Sequence, residues 1–117
     1  SAEDYLEAIL MIHERQGYVR STDVAEQLGI SKPSVSNATK RLRESEYLTT
    51  DPAGMLVLTA SGMEIASQIY ARHRALTDFF IRIGVCPEQA REDACKIEHD
   101  ISQETFEALC RYAGEQA

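Results

Sequence analysis

Placing successive residues of the stretch 2–16 at 100° intervals puts Leu6, Ile9, Leu10 and His13 on one face and Asp4, Glu7 and Met11 on nearly the opposite one. That pattern predicts a helix with two sides to satisfy, started by Ser1 as N-cap and ended by Gly17. The run Ser21-Thr22-Asp23-Val24-Ala25-Glu26-Gln27-Leu28-Gly29 predicts a short second helix that turns Ala25 and Leu28 inward and ends on a glycine turn. Ser31 then caps a third helix, with Pro33 tolerated in the first turn, where amides have no intrahelical acceptor. Its apolar positions Val35, Ala38 and Leu42 leave Ser34, Asn37 and Arg41 outward. Two short β-prone segments, residues 47–50 and 55–58, flank Asp51-Pro52-Ala53-Gly54 and predict a hairpin. Thr59 caps a long helix to about residue 83, with a stripe of Ala66, Ile69, Tyr70, His73, Leu76 and Phe80. Beyond Gly84 and Pro87, helices are expected over roughly 88–100 and from Ser102 to about Gly114.

Two helices joined by a tight turn and followed by a hairpin form a winged helix-turn-helix. The fold class is therefore mainly α with a small β-hairpin: a winged helix-turn-helix over residues 1–60 and a helical domain over 61–117. Charge both opposes and localises a nucleic-acid role. The whole chain carries −7, which works against phosphate binding, yet residues 31–43 hold four bases (Lys32, Lys40, Arg41, Arg43) and no acid. Residues 1–30 carry six acids against two bases. Within the third helix the small polar residues Ser31, Ser34, Ser36 and Asn37, with Pro33, suit base edges and thymine methyls, whereas Lys32, Lys40 and Arg41 suit phosphates. An ordinary helical hairpin with a solvated basic face is the plain alternative.

Length limits the chain to one domain or two small units, and no apolar run approaches the roughly 18 residues of a membrane helix. No signal peptide is visible. An odd set of three cysteines, Cys86, Cys95 and Cys110, argues for free thiols in a reducing cytoplasm. The segment Cys95-Lys96-Ile97-Glu98-His99 spaces a thiol, a carboxylate and an imidazole at i, i+3 and i+4, so that one side of a helix offers three donors to a divalent transition metal. Each has an ordinary reading too: a packed thiol, a solvated acid, a satisfied histidine. His73 sits in the apolar stripe of the long helix, where a hydrogen-bonded core histidine is the usual occupant. Asp4 and Glu7 also fit the positive end of a helix.

From Glu3-Asp4-Tyr5-Leu6-Glu7, through the helix-turn-helix and Leu56-Val57-Leu58-Thr59, to Ile97-Glu98-His99, the chain resembles the diphtheria toxin repressor family, and within it the short branch of manganese transport regulators. The resemblance implies a homodimer that binds double-stranded operator DNA when loaded with divalent metal and controls metal-uptake genes. It implies a dimer contact through the last two helices, compatible with Phe106, Leu109, Cys110 and Ala113 at helical spacing. It also implies metal ligands at Asp4, Glu7, His73, Glu98 and His99. Cys95 falls where the manganese branch has a glutamate and the iron-responsive branch a cysteine. Thr77 and Arg91 replace the carboxylate and histidine of the iron branch's ancillary site. A thiolate favours iron(II), cobalt(II) or zinc(II) over manganese(II), so iron(II) is expected first and manganese(II) next, with zinc(II) or cobalt(II) possible in vitro. In a two-fold dimer, metal joining the two units would set the recognition helices about 34 Å apart, the spacing of successive major grooves.

Three other functions stand beside this one. A winged-helix regulator could answer to an organic ligand or to oxidation of Cys95. A small metalloenzyme could use the Cys, Glu and His cluster, although the chain offers no Gly-rich substrate loop and no separate nucleophile and base. A winged helix could bind protein rather than DNA.

Overall fold

The computed structural model describes residues 1–116, with side chains through Gly114. Six helices and two strands follow in the order α1 (Ala2–Gln16), α2 (Ser21–Leu28), α3 (Lys32–Glu44), β1 (Leu48–Thr50), β2 (Leu56–Leu58), α4 (Ala60–Arg82), α5 (Pro87–Ile97) and α6 (Gln103–Gln116). The chain divides into two compact units, Ser1–Gln68 and the residues from Ile69 onward. No helix among the described residues is long and apolar enough to cross a membrane.

Local chemistry explains the element ends of the first unit. Ser1 and Asp4 form a reciprocal capping box on α1, and Gly17 closes it in the left-handed conformation at φ 84°, donating to His13 O. Gly29, also left-handed at φ 66°, turns α2 into α3, and Ser31 Oγ accepts the Ser34 amide to start α3. The antiparallel β1–β2 ladder pairs Leu48 with Leu58, Thr49 with Val57 and Thr50 with Leu56. Its turn is organised by Asp51, whose Oδ1 accepts the amides of Ala53 and Met55, each at 2.9 Å. The Leu56 amide donates to Val19 O at 2.8 Å and ties the wing to the segment after α1.

Leu6, Ile9, Ile12, Val19, Val24 and Val35 are almost wholly buried, and Leu42, Leu48 and Leu56 join them. Full burial of one such side chain contributes about 1.5–3 kcal/mol, so this cluster is the main source of cohesion among α1, α2, α3 and the wing. Thr59 fastens the start of α4 to it. Its Oγ1 donates to Glu46 O at 2.7 Å and accepts the Gly62 amide at 3.2 Å, and its own amide donates to Tyr47 O. The approach is so close that a Cβ on Gly62 would run into the carbonyl oxygen of Tyr47.

Several positions differ from expectation. His13 is exposed and Ile12 fills the core in its place, because an imidazole tolerates water and an isoleucine does not. Burial on α1 runs through Leu6, Glu7, Ala8, Ile9, Leu10 and Ile12, wider than one apolar stripe. On α3 the buried set is Val35, Thr39 and Leu42; Thr39 is accommodated because its hydroxyl donates to Ser36 O at 3.1 Å, while Ala38 is only half-buried. On α2 the inward pair is Val24 and Ala25, with Leu28 half-buried.

In the second unit α5 stops at Ile97, three residues before the predicted end. The Asp100 amide donates to Ile97 O at 2.9 Å, tightening the chain into a turn over residues 98–100, and Ser102 Oγ then accepts the Thr105 amide to start α6.

Candidate metal centre and DNA-reading face

The predicted reading helix is α3, and Ser31, Lys32, Pro33, Ser34, Ser36, Asn37, Lys40 and Arg41 are all exposed. Val35, Thr39 and Leu42 anchor the opposite side of the helix, so the polar set is presented as one face of a fixed element. Ser34, Asn37 and Arg41 also line a groove of about 430 Å³ that includes Ser1, Tyr5 and Tyr47. The N-terminal end of α3 offers small hydroxyl and amide groups and its C-terminal half offers cations. This order suits base contacts flanked by phosphate contacts.

One polar device of this unit was not foreseen from the sequence. Asp23 Oδ2 accepts from the Arg20 amide at 3.0 Å and from Gln16 Nε2 at 2.9 Å, and Oδ1 accepts from Arg20 Nη2 at 3.2 Å. The Arg20 side chain, with the Arg20 amide second, holds the Asp23 carboxyl below its ordinary pKa of 3.8. An acid at the third position of a predicted helix is the signal that could have revealed it.

The second unit brings together three of the predicted donors. His73 on α4, Cys95 in the last turn of α5 and Glu98 at its C-cap place one ligand atom each within 4.8 Å of one another. Ligands sharing one ion at bonds of about 2.0–2.3 Å stand at most about 4.6 Å apart, so the set is close to the spacing a single cation imposes. His99 adjoins it. Its Nε2 lies 3.3 Å from Glu98 Oε1, and His73 Nδ1 lies 3.3 Å from Glu98 Oε2. The three residues at 95, 98 and 99 do not all project from one helix, as the spacing predicted. His99 stands in the turn after Ile97; Cys95 and His99 are exposed and Glu98 is buried.

The donor set fits a divalent cation on physical grounds. The Glu98 side chain is 1% exposed, and neither carboxylate oxygen receives a hydrogen bond. Burying an anion in that condition is costly, and a cation held between carboxylate, imidazole and thiolate offsets the cost. Thr77, buried nearby on α4, gives its hydroxyl to His73 O at 2.8 Å and so fixes the backbone that carries the histidine. Arg91 is exposed. Cys86, Cys95 and Cys110 are all exposed, and none of them is in a disulfide. Asp4 and Glu7 lie one turn apart on α1 in the first unit; Asp4 also serves the capping box with Ser1, and Glu7 is buried at 6% exposure.

A winged helix-turn-helix with a basic reading helix, in a chain whose second unit gathers thiol, carboxylate and imidazole, is the architecture of a metal-dependent transcriptional regulator. The chain belongs to the iron dependent repressor family: its N-terminal DNA binding domain matches residues 1–56, and its metal binding and dimerisation domain matches residues 59–116. The HTH-type transcriptional regulator MntR of Shouchella clausii is 39% identical over 109 residues, which cover 93% of this chain and 76% of that protein. MntR of Bacillus subtilis is 37% identical over 93% of this chain and 77% of its own length. Among solved structures, T. acidophilum IdeR superposes with a TM-score of 0.87 at 27% identity, covering 97% of this chain and 54% of that one. A manganese-dependent transcriptional repressor in complex with manganese gives 0.89 at 28% identity, covering 97% and 53%. The chain thus spans about three quarters of these MntR relatives and about half of the solved structures. The expected short manganese-regulator branch is borne out by the relatives, and the expected fold class by both the elements and the structural neighbours.

Proposed function

We propose that this chain is a homodimeric repressor of metal-uptake genes in the cytoplasm, which binds operator DNA through α3 and the wing when a divalent metal occupies the cluster around Glu98. The observation that carries the reading is the buried Glu98 carboxylate, faced by His73, His99 and Cys95 and lacking hydrogen bonds. His73, Cys95, Glu98 and His99 hold the ion, and Asp4 and Glu7 on α1 complete the ligand set. The family resemblance and the donor chemistry of α1 support the last assignment. When bound, the ion supplies positive charge that cancels the mutual repulsion of these carboxylates. Ser31, Lys32, Pro33, Ser34, Ser36, Asn37, Lys40 and Arg41 form the DNA face.

Metal choice turns on Cys95. Carboxylates and imidazoles accept manganese(II), the metal named for several structural neighbours, while a thiolate shifts preference towards iron(II), cobalt(II) and zinc(II). We place iron(II) first and manganese(II) next. Operator binding measured against a panel of divalent metals, for the natural chain and for Cys95→Glu, tests this. The substitution is expected to move activation towards manganese(II), and an unchanged metal profile would remove Cys95 from the ligand set.

A further inference from the structure

His73 stands in the middle of α4, held by a continuous helix. Glu98 and His99 stand beyond the last residue of α5, in a turn where the Glu98 amide donates to Ala94 O and the Asp100 amide to Ile97 O. Those bonds tie the turn to α5, and a separate link ties the chain just beyond it to α4. Arg72, the residue before His73, supplies that link. Its Nη2 donates to Ile101 O at 2.5 Å, its Nη1 donates to Gln103 Oε1 at 3.4 Å, and its guanidinium carbon lies 5.0 Å from the centre of the Phe106 ring. A planar charged fork thereby reaches from α4 to the residues that leave the turn and to the first turns of α6. A charged donor to a carbonyl is among the stronger hydrogen bonds, and the stacked ring limits the rotamers open to the arginine.

We propose that Arg72 is a positioning residue for the metal centre: by pinning Ile101 and Gln103 to α4, it sets the separation of His73 from Glu98 and His99 before any ion binds. The inference rests on reading this cluster as the metal site. Arg72 itself is cationic and offers no electron pair to a metal. Its effect is to reduce the reorganisation that donors on separate segments otherwise undergo on binding.

The test compares the natural chain with Arg72→Met and Arg72→Lys, using calorimetric titration with manganese(II) under reducing conditions and amide hydrogen exchange of the metal-free proteins. Loss of supporting hydrogen bonds around metal ligands lowers affinity about 10- to 100-fold, and Arg72→Met is expected in that range. Arg72→Lys keeps the charge and one donor but loses the fork, and is expected to weaken binding about 3-fold. In metal-free Arg72→Met the amides of residues 98–103 exchange faster while those of α1 and α3 keep their protection. Parental affinity in both variants overturns the proposal, as does accelerated exchange spread evenly over the whole second unit, which would make Arg72 a general support of the fold. Should Arg72→Met not fold, Arg72→Lys decides by the same criteria. If the natural chain itself takes up no manganese(II) or iron(II), the metal-site reading falls as well, and the two failures are told apart by that control.

Discussion

The two units use their polar side chains in opposite ways. In the first, Ser31, Asp51 and Thr59 each give an oxygen to a backbone amide, Asp23 collects Arg20 and Gln16, and the buried Thr39 is matched by Ser36 O. In the second, Glu98 is taken out of water with neither oxygen hydrogen-bonded, among two imidazoles and a thiol. Polar groups whose task is to hold a shape are satisfied within the protein. The Glu98 carboxylate, which we propose holds a cation, has no such hydrogen bond. Glu7 is the buried carboxylate of the first unit, and it is one of the two ligands proposed on α1.

The sharpest way to break this contrast is to remove the Glu98 charge. Glu98→Gln is expected to lower metal affinity by about 100-fold or more, at the upper end of what changes in a metal's surroundings cost. The melting temperature of the metal-free protein should hold steady or rise, since a buried carboxylate without hydrogen bonds gives way to a neutral amide. Calorimetric titration and thermal denaturation together check both halves; a large loss of metal-free stability would mean that Glu98 serves the fold.

Reversing charge on the reading helix probes the other unit. Lys40→Glu with Arg41→Glu leaves the core untouched, because both residues are exposed, and is expected to weaken operator binding at least about 10-fold at low salt. The slope of log affinity against log salt should become shallower by about two, at roughly one for each phosphate no longer neutralised. Fluorescence anisotropy over a salt series measures both quantities. Metal affinity in the absence of DNA should not change.

Gly62→Ala tests the polar frame of the first unit at its tightest point. The new Cβ would collide with Tyr47 O, so α4 or the backbone before β1 has to shift. Overpacking of this kind costs about 1–3 kcal/mol, more than the roughly 1 kcal/mol that alanine gains over glycine in a helix. Urea denaturation would show the loss, and stability equal to that of the natural chain would contradict the packing described.

The smallest effect concerns Asp23. Its folded pKa lies below 3.8, so its contribution to stability is present above the unfolded value and disappears as pH falls through the folded one. Asp23→Asn should therefore melt lower than the natural chain near neutral pH, and the gap should close in strongly acidic solution. Arg20 is exposed and screened, so salt should narrow the gap too.

Most of the first unit was legible in the sequence because its instructions are local. Ser1, Gly17, Gly29, Ser31 and Thr59 mark boundaries through bonds to residues three or four positions away, and such spacing can be read directly. The metal cluster was legible only as a set of donor types. That α5 ends at Ile97 depends on the turn at Asp100, which the apolar period does not register, so His99 was placed on a helix it does not join. The depth of Glu98 and the reach of Arg72 to Ile101 depend on how separate segments pack, and no spacing along the chain encodes them.

In the proposed function, occupancy of the Glu98 cluster switches DNA binding on. Titrating iron(II) or manganese(II) anaerobically, under reducing conditions, into the chain with its operator duplex, while following metal uptake and DNA binding in the same sample, tests it most directly. The two signals are expected to rise together at a fixed ratio of metal to chain, and a chelator should reverse both. Operator binding of equal strength before metal is added, or stoichiometric metal uptake that leaves operator affinity unchanged, would mean that metal at this cluster does not control DNA binding.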